Sequence, residues 1–274
     1  MARKYGLPYK GSKNAIARDI VEFLPDADVL VDICAGGCAV THCALEMGKY
    51  NRVVANDVNE GIVTLFKDAV DGKYKGESRW ISRDTFFALK ESDPYVKYCW
   101  SFGNNGKDYL YSRKIEPYKK ALHELFFAET VNERRVKYRT VIRELNAFLI
   151  ASGKYLGGDV SLQSLESLER LEISSKDYAE VKIPQNAIVY ADIPYEGTDA
   201  GSYGDFDHRR FYDWAAKSAA PIYVSSYNIA DERFTEVWSK KKTVLSSAKG
   251  GGIYAIEKIY ANKAGIVKLS EVRL

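Results

Sequence analysis

Late in the chain, Ala191-Asp192-Ile193-Pro194-Tyr195 places a carboxylate, a rigid corner and an aromatic ring side by side. Pro194 has a locked φ and biases Ile193 toward extended backbone, so the carbonyls here point in set directions. A carboxylate offers acceptor oxygens and no donor, a peptide carbonyl offers another, and a flat ring stacks on a heterocycle. Together they suit an exocyclic amine, whose two hydrogens need two acceptors. The same letters also describe a strand ending in an ordinary Asp-x-Pro turn, and alone they favour that plainer reading. The apolar run Ala187-Ile188-Val189-Tyr190 before them is expected to be the buried strand that carries them.

Two earlier stretches have the same form of a strand ending in an acid. Val29-Leu30-Val31-Asp32-Ile33 runs into the small-residue turn Cys34-Ala35-Gly36-Gly37-Cys38-Ala39-Val40-Thr41, and apolar residues at helical spacing follow. This is the first βα unit of a doubly wound fold, with Gly36 and Gly37 letting a ligand approach the backbone. Gly-x-Gly-x-x-Gly is absent, which argues against a nicotinamide oxidoreductase. About twenty residues on, Arg52-Val53-Val54-Ala55-Asn56-Asp57-Val58-Asn59 reads as the second strand. Asp57 there suits the two ribose hydroxyls of an adenosine or the cap of a helix; beside the Gly-Gly turn, the ribose role is preferred. Asn59 is placed to cap a helix over Glu60–Val70. Upstream, Tyr9-Lys10-Gly11-Ser12-Lys13 precedes a helical pattern over Ala15–Leu24. Its turn could cradle an anionic group, although taken alone a simple Ser12 cap is favoured.

At 274 residues, 46% hydrophobic and 28% charged, the chain has the means to bury a sizeable core. No apolar run approaches 18 residues and no signal-peptide core is present, so neither a membrane span nor secretion is expected. Cys34, Cys38, Cys43 and Cys99 include no Cys-x-x-Cys pair. With only His42 near the first three, free thiols are expected and no metal site. The net charge of +3 leaves the distribution of charge to decide about anionic partners.

From Asp71 the pattern changes. Helices are expected over Asp84–Glu91, Glu116–Phe127 and Val131–Ile150. Between the first two, Ser101-Phe102-Gly103-Asn104-Asn105-Gly106-Lys107 carries an Asn-Gly turn signal. Bases recur at Lys107, Arg113, Lys114, Lys119 and Arg135, among others. Such a run is commonly a solvated helix face, but interleaved aromatics and amides favour a nucleic-acid surface. This region reads as a second domain inserted into the first.

The doubly wound pattern then resumes. A helix is expected over Ser161–Leu171 and a short strand over Glu172–Ser174, followed by Asp177-Tyr178. Tyr178 can cover an adenine face and Asp177 can accept from an amino group or cap a helix. After Tyr195, Glu196 to Gly204 has the composition of a mobile lid. A helix over Phe206–Ser218 and a strand over Ile222–Asn228 follow. Two final strands, Lys242–Ser247 and Ile253–Ala261, must be antiparallel because so short a link joins them.

In this order the motifs resemble the Dam-like (D12-class) S-adenosylmethionine-dependent DNA adenine-N6 methyltransferases, over nearly the whole chain. The resemblance implies that Tyr9 and Lys13 wrap the methionine end of the cofactor. It puts Asp32, Ala35, Gly36 and Gly37 under the cofactor, Asp57 with Val58 at the ribose, and Asp177 with Tyr178 at the adenine. Asp192, Ile193, Pro194 and Tyr195 stand on the catalytic Asp-Pro-Pro-Tyr. Ile193 replaces the first proline, whose backbone carbonyl is what the family uses, and Cys34 and Cys38 replace Phe and Gly of the glycine motif.

The fold implied is α/β, a class I methyltransferase (Rossmann-like) sheet of seven strands, parallel apart from one. The catalytic domain would comprise 1–71 and 161–274, with a mainly helical target-recognition domain over 72–160. Asn104, Asn105, Lys107, Arg113, Lys114, Lys119 and Arg135 would contact double-stranded DNA. The expected activity is methyl transfer to adenine N6 of a flipped base, by a monomer in the cytoplasm of a bacterial or phage-infected cell. Restriction-modification belongs to the same setting. Cytosine-C5 methylation is set aside because no Pro-Cys occurs. Cytosine-N4 methylation, and a non-catalytic DNA-binding protein on the same fold, stay as alternatives.

Overall fold

The computed structural model describes residues 5–152, 170–196, 206–244 and 253–272. Of the helix expected over 161–171, residues 161–169 lie outside the described residues and Leu171 belongs to a strand instead; residues 197–204 of the Gly-rich loop and residues 245–252 also lie outside the described residues. The chain divides into two compact units, with boundaries at Asp71/Gly72 and Ser161/Leu162.

The first unit carries a seven-stranded sheet: β1 (Val29–Asp32), β2 (Arg52–Asn56), β3 (Leu171–Ser174), β4 (Ala187–Asp192), β5 (Ile222–Ser226), β6 (Thr235–Val244) and β7 (Ile253–Ala261). Their order across the sheet is β3-β2-β1-β4-β5-β7-β6. β1 to β5 run parallel, and β7 is antiparallel to both its neighbours. This is the class I methyltransferase arrangement, mostly parallel with one reversed strand.

Helices α1 (Ala17–Phe23), α2 (Ala39–Met47) and α3 (Glu60–Val70) precede the second unit. That unit holds α4 (Arg83–Leu89), α5 (Pro94–Cys99), α6 (Glu116–Phe126) and α7 (Val131–Ser152). α8 (His208–Lys217) and α9 (Lys263–Val272) follow it.

Alternation along the strands sends side chains to two cores, so the sheet is covered on both faces. Leu30, Val53, Ile188, Tyr190, Tyr223 and Ile259 pack toward one face, with Ile20 of α1 and Cys43 of α2. Val31, Val54, Val189, Ala191 and Val224 pack toward the other, with Phe211 and Ala215 of α8. Asn59 caps α3, its side-chain oxygen accepting from Ile62 N at 3.3 Å. Ser12 does not cap α1: that helix starts at Ala17 after Ile16, while Ser12 Oγ accepts from Asn14 N.

β6 starts at Thr235, seven residues before the Lys242 expected from sequence. It is the outermost strand, so its charged residues can face water, and a bulge between Glu236 and Trp238 breaks its alternation. The second unit, considered alone, has one core around Phe86, Val96, Trp100 and Tyr109 and another between α6 and α7.

Candidate active site

Strand order reverses between β1 and β4, and in open α/β sheets the crevice at such a switch point, at the strands' carboxyl ends, is where ligands bind. Asp32 ends β1, Asp57 follows the last residue of β2, and Asp192 ends β4. Three acids thus come from three adjacent strands. β4 runs two residues further than the sequence pattern shows. Asp32 pairs in register with Tyr190, so Asp192 stands one pleat beyond it.

Asp32 and Asp57 are both buried. Asp32 Oδ2 accepts from Thr41 Oγ1 at 2.6 Å and Thr41 N at 3.2 Å. Desolvation pushes its pKa up to about 7 against these bonds, and the charges of Asp192 and Asp57 add to the rise. Asp57 Oδ2 accepts from Gly36 N at 2.7 Å and Oδ1 from Asn59 N at 2.9 Å, so the ribose-type acid also shapes the glycine turn. Beside it, Val58 is exposed. Asn56 fastens the ends of β1 and β3 together, donating to Ile33 O and Lys176 O and accepting from Ser174 Oγ.

The N-terminal segment lies across the glycine turn, with Leu7 N donating to Gly37 O at 2.6 Å. A Cβ on Gly37 would sit 2.8 Å from Leu7 O and from Tyr9 Cβ. Gly6 has φ +68°, and a Cβ there would come within 2.3 Å of Gly37 O. These close approaches bring Tyr9 to the site, where its hydroxyl accepts from Asn59 Nδ2 at 3.5 Å.

Lys13 arrives on the same segment and is 5% exposed. Its Nζ reaches Asp192 Oδ2 at 2.5 Å and lies 5.1 Å from the centre of the Tyr195 ring. Burial works against the ammonium, but Asp192 and Glu257 outweigh it and hold the pKa above its ordinary value. The pair is therefore ionised, with Asp192 present as a carboxylate.

The segment after Asp192 is held at two further points. His208 Nε2 donates to Pro194 O at 2.7 Å. The Tyr195 hydroxyl donates to Glu257 Oε1, which also accepts from Ser225 Oγ at 2.6 Å. Tyr227 meets the Tyr195 ring edge to face, with centroids 4.4 Å apart. Burial, with the charges of Asp192 and Glu257, drives the Tyr195 pKa far up, so the phenol stays protonated.

At the β3 exit, both oxygens of Asp177 accept from Arg210 at 2.9 Å, and Oδ1 also accepts from Ala179 N, capping a short 3-10 turn. Tyr178 is buried against Phe211 and Trp214, with the Arg210 guanidinium 5.1 Å from its ring centre. The ring is thus enclosed, while Asp177 stays partly open.

In the second unit, considered alone, Ser101 and Tyr109 form an antiparallel bridge that closes the Asn-Gly loop. Asn104 has φ +54° and donates to Tyr98 O, while Asn105 Oδ1 accepts from Lys107 N and Asp108 N. Both amides are engaged in shaping the loop. Lys107, Arg113, Lys114 and Arg135 are exposed. Lys119 is half-buried over Tyr111, and burial lowers its pKa.

Glu257, His208, Thr41 and Asn56 join the site without having been singled out from sequence. For Glu257 a signal existed. In Ala255-Ile256-Glu257-Lys258-Ile259-Tyr260-Ala261 it shares alternate positions with Ala255, Ile259 and Ala261, which places a charge in the inward row. His208 and Asn56 occupy a helix start and a strand end, where a polar residue excites no attention.

A family model described as D12 class N6 adenine-specific DNA methyltransferase matches residues 9–246. No curated protein sequence matches the chain. Among solved structures, the rRNA methyltransferase aviRa from Streptomyces viridochromogenes is 15% identical, with a TM-score of 0.40 over 93% of this chain and 84% of that one. The 23S rRNA methyltransferase ErmE is 9% identical, with a TM-score of 0.39 over 93% of this chain and 70% of that one.

Proposed function

Since the chain belongs to the D12 class N6 adenine-specific DNA methyltransferase family, we propose that Asp192 and the Ile193 carbonyl are the acceptors that hold the target amine. The family's activity, and so this chain's, is S-adenosylmethionine-dependent methylation of adenine N6 in DNA. The observation that carries the residue assignment is the ion pair of Asp192 with buried Lys13 at the end of β4. It keeps the carboxylate ionised, and therefore an acceptor, at the switch point of the sheet.

The donor set suits the cofactor. Asp32, Asp57 and Asp192 converge on one edge, and their repulsion helps to raise Asp32 to about 7. A ligand bearing positive charge relieves that repulsion. Asp57 takes the ribose hydroxyls through its remaining lone pairs, with exposed Val58 beside it. Asp177 takes the adenine amino group alongside Arg210, over enclosed Tyr178. Tyr9, Lys13, Ala35, Gly36 and Gly37 line the methionine end. S-adenosylmethionine, once bound, supplies an activated methyl group on its sulfonium.

Asp192 and the Ile193 carbonyl accept the amine's two hydrogens and aim its lone pair outward. The fixed carboxylate then stabilises positive charge as it develops on the nitrogen. In a duplex the base is stacked, so it is flipped out, at a cost on the order of a few kcal/mol. Stacking on Tyr195 offsets roughly 1–3 kcal/mol of it. The second unit supplies the DNA surface, with Lys107, Arg113, Lys114 and Arg135 at phosphates, Lys119 contributing less, and Asn104 and Asn105 shaping the loop that meets the bases. The setting is the cytoplasm of a bacterial or phage-infected cell, where the protein acts as a monomer, as in restriction-modification.

Reaction with mixed-sequence duplex and cofactor, followed by nucleoside mass spectrometry, tests this reading. N6-methyladenine is expected from the intact chain and none from Asp192→Ala. N4-methylcytosine, or activity confined to RNA, would overturn it.

A further inference from the structure

We infer that Glu257 is a positioning residue for methyl transfer, acting through the hydroxyl of Tyr195. It sits inside β7, the one strand running against the rest of the sheet, and it is fully buried. A buried carboxylate persists only where hydrogen bonds and charges repay its lost hydration. Here Oε1 accepts from both the Tyr195 hydroxyl and Ser225 Oγ, and the charge of Lys13 is close enough to be held up by it.

The arrangement has a geometric result. A ring attached only at its Cβ can swing about χ1 and χ2. The Tyr195 ring is fixed at its far end by Glu257 and met along its side by Tyr227. Both anchors are placed by the sheet, since Glu257 lies in β7 and Tyr227 directly follows the end of β5. The stacking surface offered to a flipped base therefore has one orientation, set by the sheet rather than by the loop that carries the ring. Ile193 stands where the resembled motif has proline, so this loop has one rigid residue fewer, and the distal anchor supplies rigidity at the other end. The inference rests on the reading that Tyr195 stacks on the target base.

The experiment compares Glu257→Ala, Glu257→Gln and Tyr195→Phe, singly and with Glu257→Ala combined with Tyr195→Phe. The probes are S-adenosylmethionine and unmethylated genomic DNA, read as kcat, KM for DNA and cofactor Kd. Glu257→Ala is expected to lower kcat by about 100-fold, the scale of a misplaced reacting group, with cofactor Kd unchanged. Glu257→Gln keeps an acceptor oxygen and should recover most of the loss. Tyr195→Phe breaks the same bond from the other side without opening a cavity, so it reports even where Glu257→Ala does not fold. It should lose a comparable factor, and the double variant should be no worse than the poorer single one. Full kcat in Tyr195→Phe, or losses that multiply in the double variant, would overturn the inference. Absence of N6-methyladenine from the unaltered protein would instead overturn the stacking reading beneath it.

Discussion

Asp32→Asn isolates the electrostatics of the carboxyl edge. In the fold, desolvation first and the charges of Asp192 and Asp57 with it raise the Asp32 pKa from 3.8 to about 7, against two bonds from Thr41. Unfolded, the same carboxyl ionises at its ordinary value. Between roughly pH 4 and 7 the native chain thus holds a proton that the unfolded chain has released, and stability contributed by this group falls as pH rises. About three pKa units at 1.36 kcal/mol each put the penalty at pH 8 near 4 kcal/mol.

Asparagine is isosteric, does not titrate, and can still accept both Thr41 bonds through its side-chain oxygen. The variant without cofactor should therefore gain on the parent as pH rises from 5 to 8, by up to about 2.7 kcal/mol, since about two of the three pKa units at 1.36 kcal/mol each fall in that window. Urea unfolding at a series of pH values measures the gap. Cofactor binding provides a second reading. A cation beside Asp32 pulls its pKa down, so the parent should release a proton on binding near pH 6.5, and the variant should not. Titration calorimetry in two buffers of different ionisation enthalpy gives the proton count directly. A stability gap independent of pH, or binding without proton release in the parent, would refute the reasoning.

Asp192→Ala should abolish methyl transfer while keeping most of the cofactor affinity, since Asp32, the glycine turn and Asp57 remain; calorimetry beside a turnover assay separates the two. Lys13→Met strands the Asp192 carboxylate with no ammonium at 2.5 Å. It should cost about 3 kcal/mol in stability, read by urea unfolding, and lower turnover with it. The cost stays modest because Asp192 is about one-quarter exposed and water can reach its carboxylate. Neutralising Lys114, Lys119 and Arg135 together should flatten the slope of log K for DNA against log salt by up to about 2.7. Half-buried Lys119 is expected to give the smallest share, and an unchanged slope would return these bases to a solvated face.

The sheet could be read from the sequence because its central strands are buried on both faces and so appear as uninterrupted apolar runs, as at Val29–Val31 and Ala187–Tyr190. The Asn59 cap was legible for a local reason, since a cap needs only its own turn. β6 was misplaced because an edge strand has one row facing water, and Lys240-Lys241-Lys242 gives no apolar run. Short α5 begins at Asp93-Pro94, a cap and an N1 proline that together outweigh its length. At the site, each acid was visible from its strand end, but its partner was not. Lys13 and Asp192 stand 179 residues apart, and no spacing rule joins them. Asp177 with Arg210, and Tyr195 with Glu257, are likewise products of topology rather than of motif.

The interrupted first unit also fixes the order in which its parts can exist on the ribosome. β1 and β2 emerge early, yet β3 and β4, which flank that pair on either side, follow only after the second unit has been made. Asn56 must wait for Ser174, 118 residues later, and Lys13 for Asp192, 179 residues later. At 5–20 residues per second these delays are roughly 6–36 s. For that interval both outer edges of a two-stranded ribbon stand open, each able to pair with another chain. The second unit, whose residues are contiguous, completes its synthesis while the sheet is still a fragment. Ladder closure from β3 to β6 is then a late event of long-range contacts, and the steps most exposed to misassembly are those that build the catalytic edge.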